Sequence, residues 1–223
     1  MKVLRCVSVT GCLLGLLLLT SCTSSKYVSQ VIPISTMVVK PENNGQKQDL
    51  ESIRKMIDLE KDWVVGIDYS NIRFTQFPLL RNLLTQETNE ISTLNLSGNF
   101  SSSVENTFSE YYPIYRSFIN VLSAPKNNIR VLNLSSNFLD SRSVYDLSKQ
   151  LVNNNNKVVE LDLQNNMIGN RGVSALIQAL KNPHCKLRLI NLSYNTFDNP
   201  TRERLIQVVA LLEQYGRDVK IYF

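Results

Sequence analysis

The stretch Leu132-Asn133-Leu134-Ser135-Ser136-Asn137 decides how the whole chain is read. Two leucines alternate with polar residues, which is the period of a strand buried on one face only. An asparagine follows where such a strand ends, and Leu139 stands two residues beyond it. The same frame recurs as Leu94-Asn95-Leu96-Ser97-Gly98-Asn99, Leu161-Asp162-Leu163-Gln164-Asn165-Asn166 and Ile190-Asn191-Leu192-Ser193-Tyr194-Asn195. The first apolar positions, 94, 132, 161 and 190, are separated by 38, 29 and 29 residues.

Working outward, a step of 27 back lands on Ile67-Asp68-Tyr69, and a step of 29 forward lands on Val219-Lys220-Ile221-Tyr222-Phe223. Strands are therefore predicted near 67, 94, 132, 161, 190 and 219. Between them, Val144, Leu147 and Leu151 correspond to Val173, Leu176 and Leu180 at the spacing of one helical face; Arg202 stands where the last copy should carry the valine. One such unit cannot bury its apolar side alone, so neighbours must stack and join their leucines into a single core.

The pattern resembles that of leucine-rich repeats: Leu-x-Leu-x-x-Asn, with an apolar residue two further on at Leu139, Ile168 and Phe197. Its interval is similar to that of the ribonuclease-inhibitor-like class. The resemblance implies an α/β leucine-rich-repeat solenoid over residues 64–223, about six repeats with a curved parallel sheet and convex helices. It also implies binding rather than catalysis. Asn99, Asn137, Asn166 and Asn195 are expected to serve backbone groups in their own turn and in the next repeat. A second register, Asn89, Asn127, Asn156 and Cys185, falls five residues before each strand, and there the resemblance makes Cys185 a structural thiol.

Ahead of the repeats, Asp49 opens a helical pattern with Leu50, Ile53 and Ile57 on one face, read as an N-terminal cap over residues 47–63. Residues 22–46 are polar, without sustained period, and read as a flexible tether. Lys2 and Arg5 precede an uncharged run from Cys6 to Leu19, a signal-peptide layout over residues 1–21 and too short for a membrane span. Leu19-Thr20-Ser21-Cys22 resembles the lipobox of bacterial lipoproteins, which implies lipidation of Cys22 and a membrane anchor. Thr23 and Ser24 follow in place of the Asp that retains such proteins at the inner membrane, so the expected location is the cell envelope, at the outer membrane.

The chain carries 24 basic and 19 acidic residues. In sequence the basic residues are scattered, with acids between them, so nucleic acid is not an expected partner. No cofactor, metal or catalytic constellation is expected: Cys185 and His184 are neighbours in an extended loop, and side chains there point apart. Glu160 and Asp162 could form a carboxylate pair, but nothing in the sequence supplies an apolar pocket to raise one pKa.

The expected binding surface is the concave column Asp68, Asn95, Asn133, Asp162, Asn191 and Lys220, with Gln164 and Tyr222 beside it. Tyr194 and Tyr222 are its aromatic anchors. The longer second unit adds Tyr111 and Tyr112, read either as a binding edge or as an extension of the helix built on Tyr115, Phe118 and Leu122. A protein partner in the envelope is the first functional expectation. The alternative is a structural envelope protein that self-associates, for which the strand at 219–223 is the expected contact.

Overall fold

In a computed structural model of the chain, the residues described are 38–39, 66–68, 77–86, 89, 91–100 and 108–223, all within the second of two compact units, Ile34–Phe223. Cys22, the signal segment and the predicted cap at 47–63 lie outside the described residues.

Seven short strands form one sheet in chain order: β1 (Val38–Val39), β2 (Gly66–Asp68), β3 (Thr93–Asn95), β4 (Val131–Asn133), β5 (Glu160–Asp162), β6 (Leu189–Asn191) and β7 (Lys220–Tyr222). Every pair is parallel. Parallel neighbours need a crossover, and from β2 onward helices supply it. They are α1 (Phe77–Leu84), α2 (Phe108–Ile119), α3 (Ser141–Leu151), α4 (Asn170–Lys181) and α5 (Asn199–Gln214). The described residues thus form an α/β protein with a parallel sheet and, from β2 onward, helices between successive strands.

Two features differ from the sequence reading. Val38 and Val39, assigned there to the tether, pair with Gly66 and Ile67 as an additional strand. At the other end Ile190 pairs with Ile221 rather than Val219, because α5 runs to sixteen residues against twelve in α4. A slip of two keeps the alternation of faces but moves each residue along its row. Tyr222, not Lys220, therefore stands beside Asn191, and Lys220 stands beside Leu189.

The core is the meeting of strand leucines with helix faces. Leu94, Leu96, Leu132, Leu134, Leu161, Leu163, Ile190 and Leu192 are buried, as are Val144, Leu147, Leu151, Val173, Leu176 and Leu180. Each such side chain contributes about 1.5–3 kcal/mol on burial. Aromatics fill the core where the first unit meets the longer second one: Phe77 lies 4.9 Å from Phe100 and 5.7 Å from Phe118, and Phe100 lies 5.3 Å from Tyr115, between ring centres. Arg202, in the valine position of α5, places its guanidinium 4.9 Å over the Phe223 ring.

Asp140 and Asp198 cap α3 and α5, accepting from the backbone N–H of Ser143 and Thr201 at 2.8 and 2.9 Å. Gly172 in α4 lets two helix starts approach: a Cβ there would meet Ile168 Cγ2 at 2.7 Å and Ser141 Cα at 3.1 Å.

The asparagines at the strand ends form a ladder. Asn137 Oδ1 accepts from the N–H of Asn99 and Phe100, and its Nδ2 donates to Leu96 O. Asn166 Oδ1 accepts from Asn137 and Leu139 N–H, while its Nδ2 donates to Leu134 O and Leu163 O. Asn195 continues the series, accepting from Ile168 N–H and donating to Leu163 O and Leu192 O. Each amide ties its own turn to the preceding unit, where the sequence reading expected the next one.

Candidate functional site

The face of the sheet away from the helices is lined by the row Asn95, Asn133, Asp162, Asn191 and Tyr222, which the register places side by side. Asp68 belongs to the same row through its pairing with Asn95. The first four side chains are engaged locally. Asn95, Asn133, Asp162 and Asn191 each accept, through Oδ1, the backbone N–H two residues on, at 3.0, 2.8, 2.9 and 3.1 Å. These Asx turns bend the chain out of each strand. Asn191 Nδ2 also donates to Gln164 Oε1 at 3.0 Å. The predicted polar column is therefore a structural row first.

Asp162 is a carboxylate where Asn95, Asn133 and Asn191 carry amides. Burial pushes its carboxyl above the usual carboxylate range, partly offset by the Gln164 backbone N–H and the Asn191 side chain. The sequence had offered no reason for this shift; the half-buried row supplies one.

One turn further, Gly98, Ser136, Asn165 and Tyr194 hold equivalent positions, and all four have a left-handed backbone, with φ of 70°, 57°, 53° and 57°. Glycine and asparagine suit that conformation, whereas a tyrosine there is strained. Tyr194 is nonetheless 77% exposed. Two other apolar residues of these loops stand out to solvent, Met167 at 55% and Phe138 at 44%, which the sequence reading did not single out. Their signal was available: both occupy the position between the ladder asparagine and the following apolar residue, where Phe100 is buried.

Of the other predicted residues, Tyr112 belongs to the helix layer. It is 8% exposed and its hydroxyl donates to Asp146 Oδ2, so it braces α2 against α3 and is not on the sheet's open face. Burial, with Asp146 next, raises its pKa. Tyr111 lies in α2, but its side chain is outside the described residues. Lys220 is exposed at the start of β7. A groove of about 340 Å³ between α1 and α2 is lined by Phe77, Arg81, Pro113, Ile114, Ser117 and Phe118, also in the helix layer. Among the described residues no group of three or more His, Cys, Asp or Glu could hold a metal ion, and no helix is long and apolar enough to cross a membrane.

No protein-family model matches the chain, and no curated protein matches it. Among solved structures it is similar to a chain described as leiomodin-1 actin-binding site 2, at 15% sequence identity, over 66% of this chain and 76% of that one, with a TM-score of 0.47.

Proposed function

We propose that the chain is a leucine-rich-repeat solenoid of about six repeats, curved with its helices outside, that recognises a protein partner in the cell envelope while anchored to a membrane through lipid on Cys22. The observation that carries the recognition reading is Tyr194: a bulky aromatic held exposed at a strained backbone position where its equivalents are Gly, Ser and Asn. Packing within the fold does not call for an aromatic there, whereas exposed, rigidly held Tyr is a favoured interface anchor. Met167 extends the apolar surface on the neighbouring loop. The lipid anchor, and with it the outer-membrane location, rests on Leu19-Thr20-Ser21-Cys22.

Purification of the tagged chain from intact envelopes, wild type beside a Met167→Lys/Tyr194→Lys variant, tests the reading. A protein that co-purifies with wild type and is lost from the variant supports it; equal recovery with both overturns this surface as the site. A second reading, assembly with its own copies, is favoured by Ile206 and Leu211, exposed on α5, by Tyr215 at its C-terminal cap, and by the edge of β7. Light scattering of the full chain distinguishes it, since a concentration-dependent dimer belongs to this reading alone.

A further inference from the structure

The basic residues that look scattered in sequence converge in space, because every loop from a helix to a strand ends at the same edge of a parallel sheet. The loops at residues 123–130, 152–159, 182–188 and 215–219 hold Lys126, Arg130, Lys157, Lys186, Arg188 and Arg217 against the single acid Asp218. The loops leaving the strands, 134–140, 163–169 and 192–198, hold Asp140 and Asp198 and no basic residue. Over these last units charge is thus segregated between the two edges, while the helix-to-strand loop of the first unit, 85–92, carries Glu87 and Glu90.

Part of the positive edge is structural. Lys157 Nζ donates to Asn128 Oδ1 at 2.7 Å, Lys186 Nζ to Asn154 O and Asn156 O at 3.1 and 2.6 Å, and Arg217 to the carbonyls of Leu180, Asn182 and Cys185. These cations serve loop carbonyls near helix ends. Arg130, Arg188 and Lys220 do not. All three are exposed, and the ion pairs among the described residues involve none of them. Their backbones are joined across the strands: Arg130 O accepts from Val159 N–H at 2.8 Å, Val159 O from Arg188 N–H at 2.8 Å, and Arg188 O from Lys220 N–H at 2.7 Å, with Lys220 one residue further along, in the row of Leu189 and Glu160. Arg130 and Arg188 are two strands apart, roughly 10 Å.

We propose that this edge is the electrostatic half of the docking face and that the partner segment lying across it is an acidic stretch of polypeptide; the proposal rests on the recognition reading above and names the partner's chemistry. Charge complementarity identifies the occupant: three exposed cations, with Val159 and the half-buried Glu160 as the residues between them, leave a net positive edge that meets carboxylates spaced along one chain. The opposite edge of the same face carries Met167 and Tyr194. A polypeptide with acidic and apolar residues satisfies both edges, whereas a layer of lipid headgroups or a nucleic-acid backbone presents anions alone.

The test uses the full chain and a labelled peptide alternating Glu and Leu, with its Lys-Leu counterpart, phosphatidylglycerol vesicles and a DNA duplex as further probes. Wild type should bind the acidic peptide saturably and more weakly as salt rises, and the Lys-Leu peptide not at all. Arg130→Glu/Arg188→Glu should weaken binding about tenfold, while the charge-matched control Arg171→Glu/Arg204→Glu stays within about twofold. Equal effects of the two double variants, or no peptide binding, overturn the edge assignment. Tighter binding of vesicles or duplex than of peptide, with the same sensitivity, overturns the polypeptide assignment. If the peptide fails while a partner is still lost from Met167→Lys/Tyr194→Lys, this inference falls and the recognition reading stands.

Discussion

Arg217 does for Leu180 what Asn89 and Asn127 do for Leu84 and Leu122. Asn89 and Asn127 donate from Nδ2 to the carbonyl five residues before them, Leu84 O at 2.7 Å and Leu122 O at 2.9 Å. Cys185 occupies the same register but has no amide, and Arg217 Nη1 reaches Leu180 O at 2.6 Å from the following loop. A buried helix end keeps its acceptor satisfied by a side chain borrowed from the next unit.

Arg217→Met should therefore destabilise the chain by about 1–3 kcal/mol, since it leaves buried carbonyls without donors. Cys185→Asn should restore most of that loss in the double variant, and add little in the wild-type background. Urea unfolding of the four proteins closes the cycle; independent, additive effects would contradict the substitution of one donor for the other.

The ladder ties Asn166 to two backbone N–H groups through Oδ1 and to the carbonyls of Leu134, Leu163 and Gln164 through Nδ2. Asn166→Ala should cost about 3 kcal/mol, and a surface change such as Gln178→Ala less than about 0.5 kcal/mol. Hydrogen exchange should localise the loss to the turns after β4 and β5; a uniform loss would contradict a local ladder.

Asp162 sits where Asn95, Asn133 and Asn191 stand, and asparagine can accept the same backbone N–H. Because burial raises its folded pKa, the folded state holds this proton more tightly than the unfolded chain. Its contribution is most favourable below the usual carboxylate range and falls as pH rises through the folded value. Asp162→Asn should thus be more stable than wild type at neutral pH, with the gain shrinking to nothing near about pH 3. Thermal melts across pH check it, and a gain independent of pH would assign the effect elsewhere. Tyr112 behaves alike at the alkaline end: its pKa is raised, so its contribution is present below about pH 10 and is lost above it.

Tyr194→Gly should raise stability by about 0.5–1 kcal/mol, as relief of the left-handed strain exceeds the backbone entropy of glycine. The same change should weaken partner binding. Stability gained with binding unchanged would make the tyrosine a passive residue.

The strands at β2 to β6 were legible because two-residue alternation and a fixed interval are both written into Leu94, Leu132, Leu161 and Ile190. The end of the chain was less so: α5 is longer than its neighbours, and no residue in Val219–Phe223 distinguishes one even-numbered slip from another, since Val219 and Ile221 serve equally as inward residues. Val38 and Val39 are two residues in a polar segment, below the length at which a period can be read. The open-face row was found, but its Asx turns were not, because Asn95 and its equivalents read the same whether they face a ligand or their own backbone. The positive edge was hidden for a simpler reason. Arg130 and Arg188 are far apart in sequence and meet only through the parallel topology.

The central claim, recognition of a protein through the open face and its edges, is tested most directly by cross-linking in intact envelopes. A photoreactive side chain placed at Tyr194 or Met167 is compared with one at Gln178, exposed on α4 in the helix layer. The account predicts one discrete adduct, heavier than the chain by the mass of a different protein, from the first two positions and none from the third. Adducts of equal yield from all three positions, or only between copies of this chain, would contradict it.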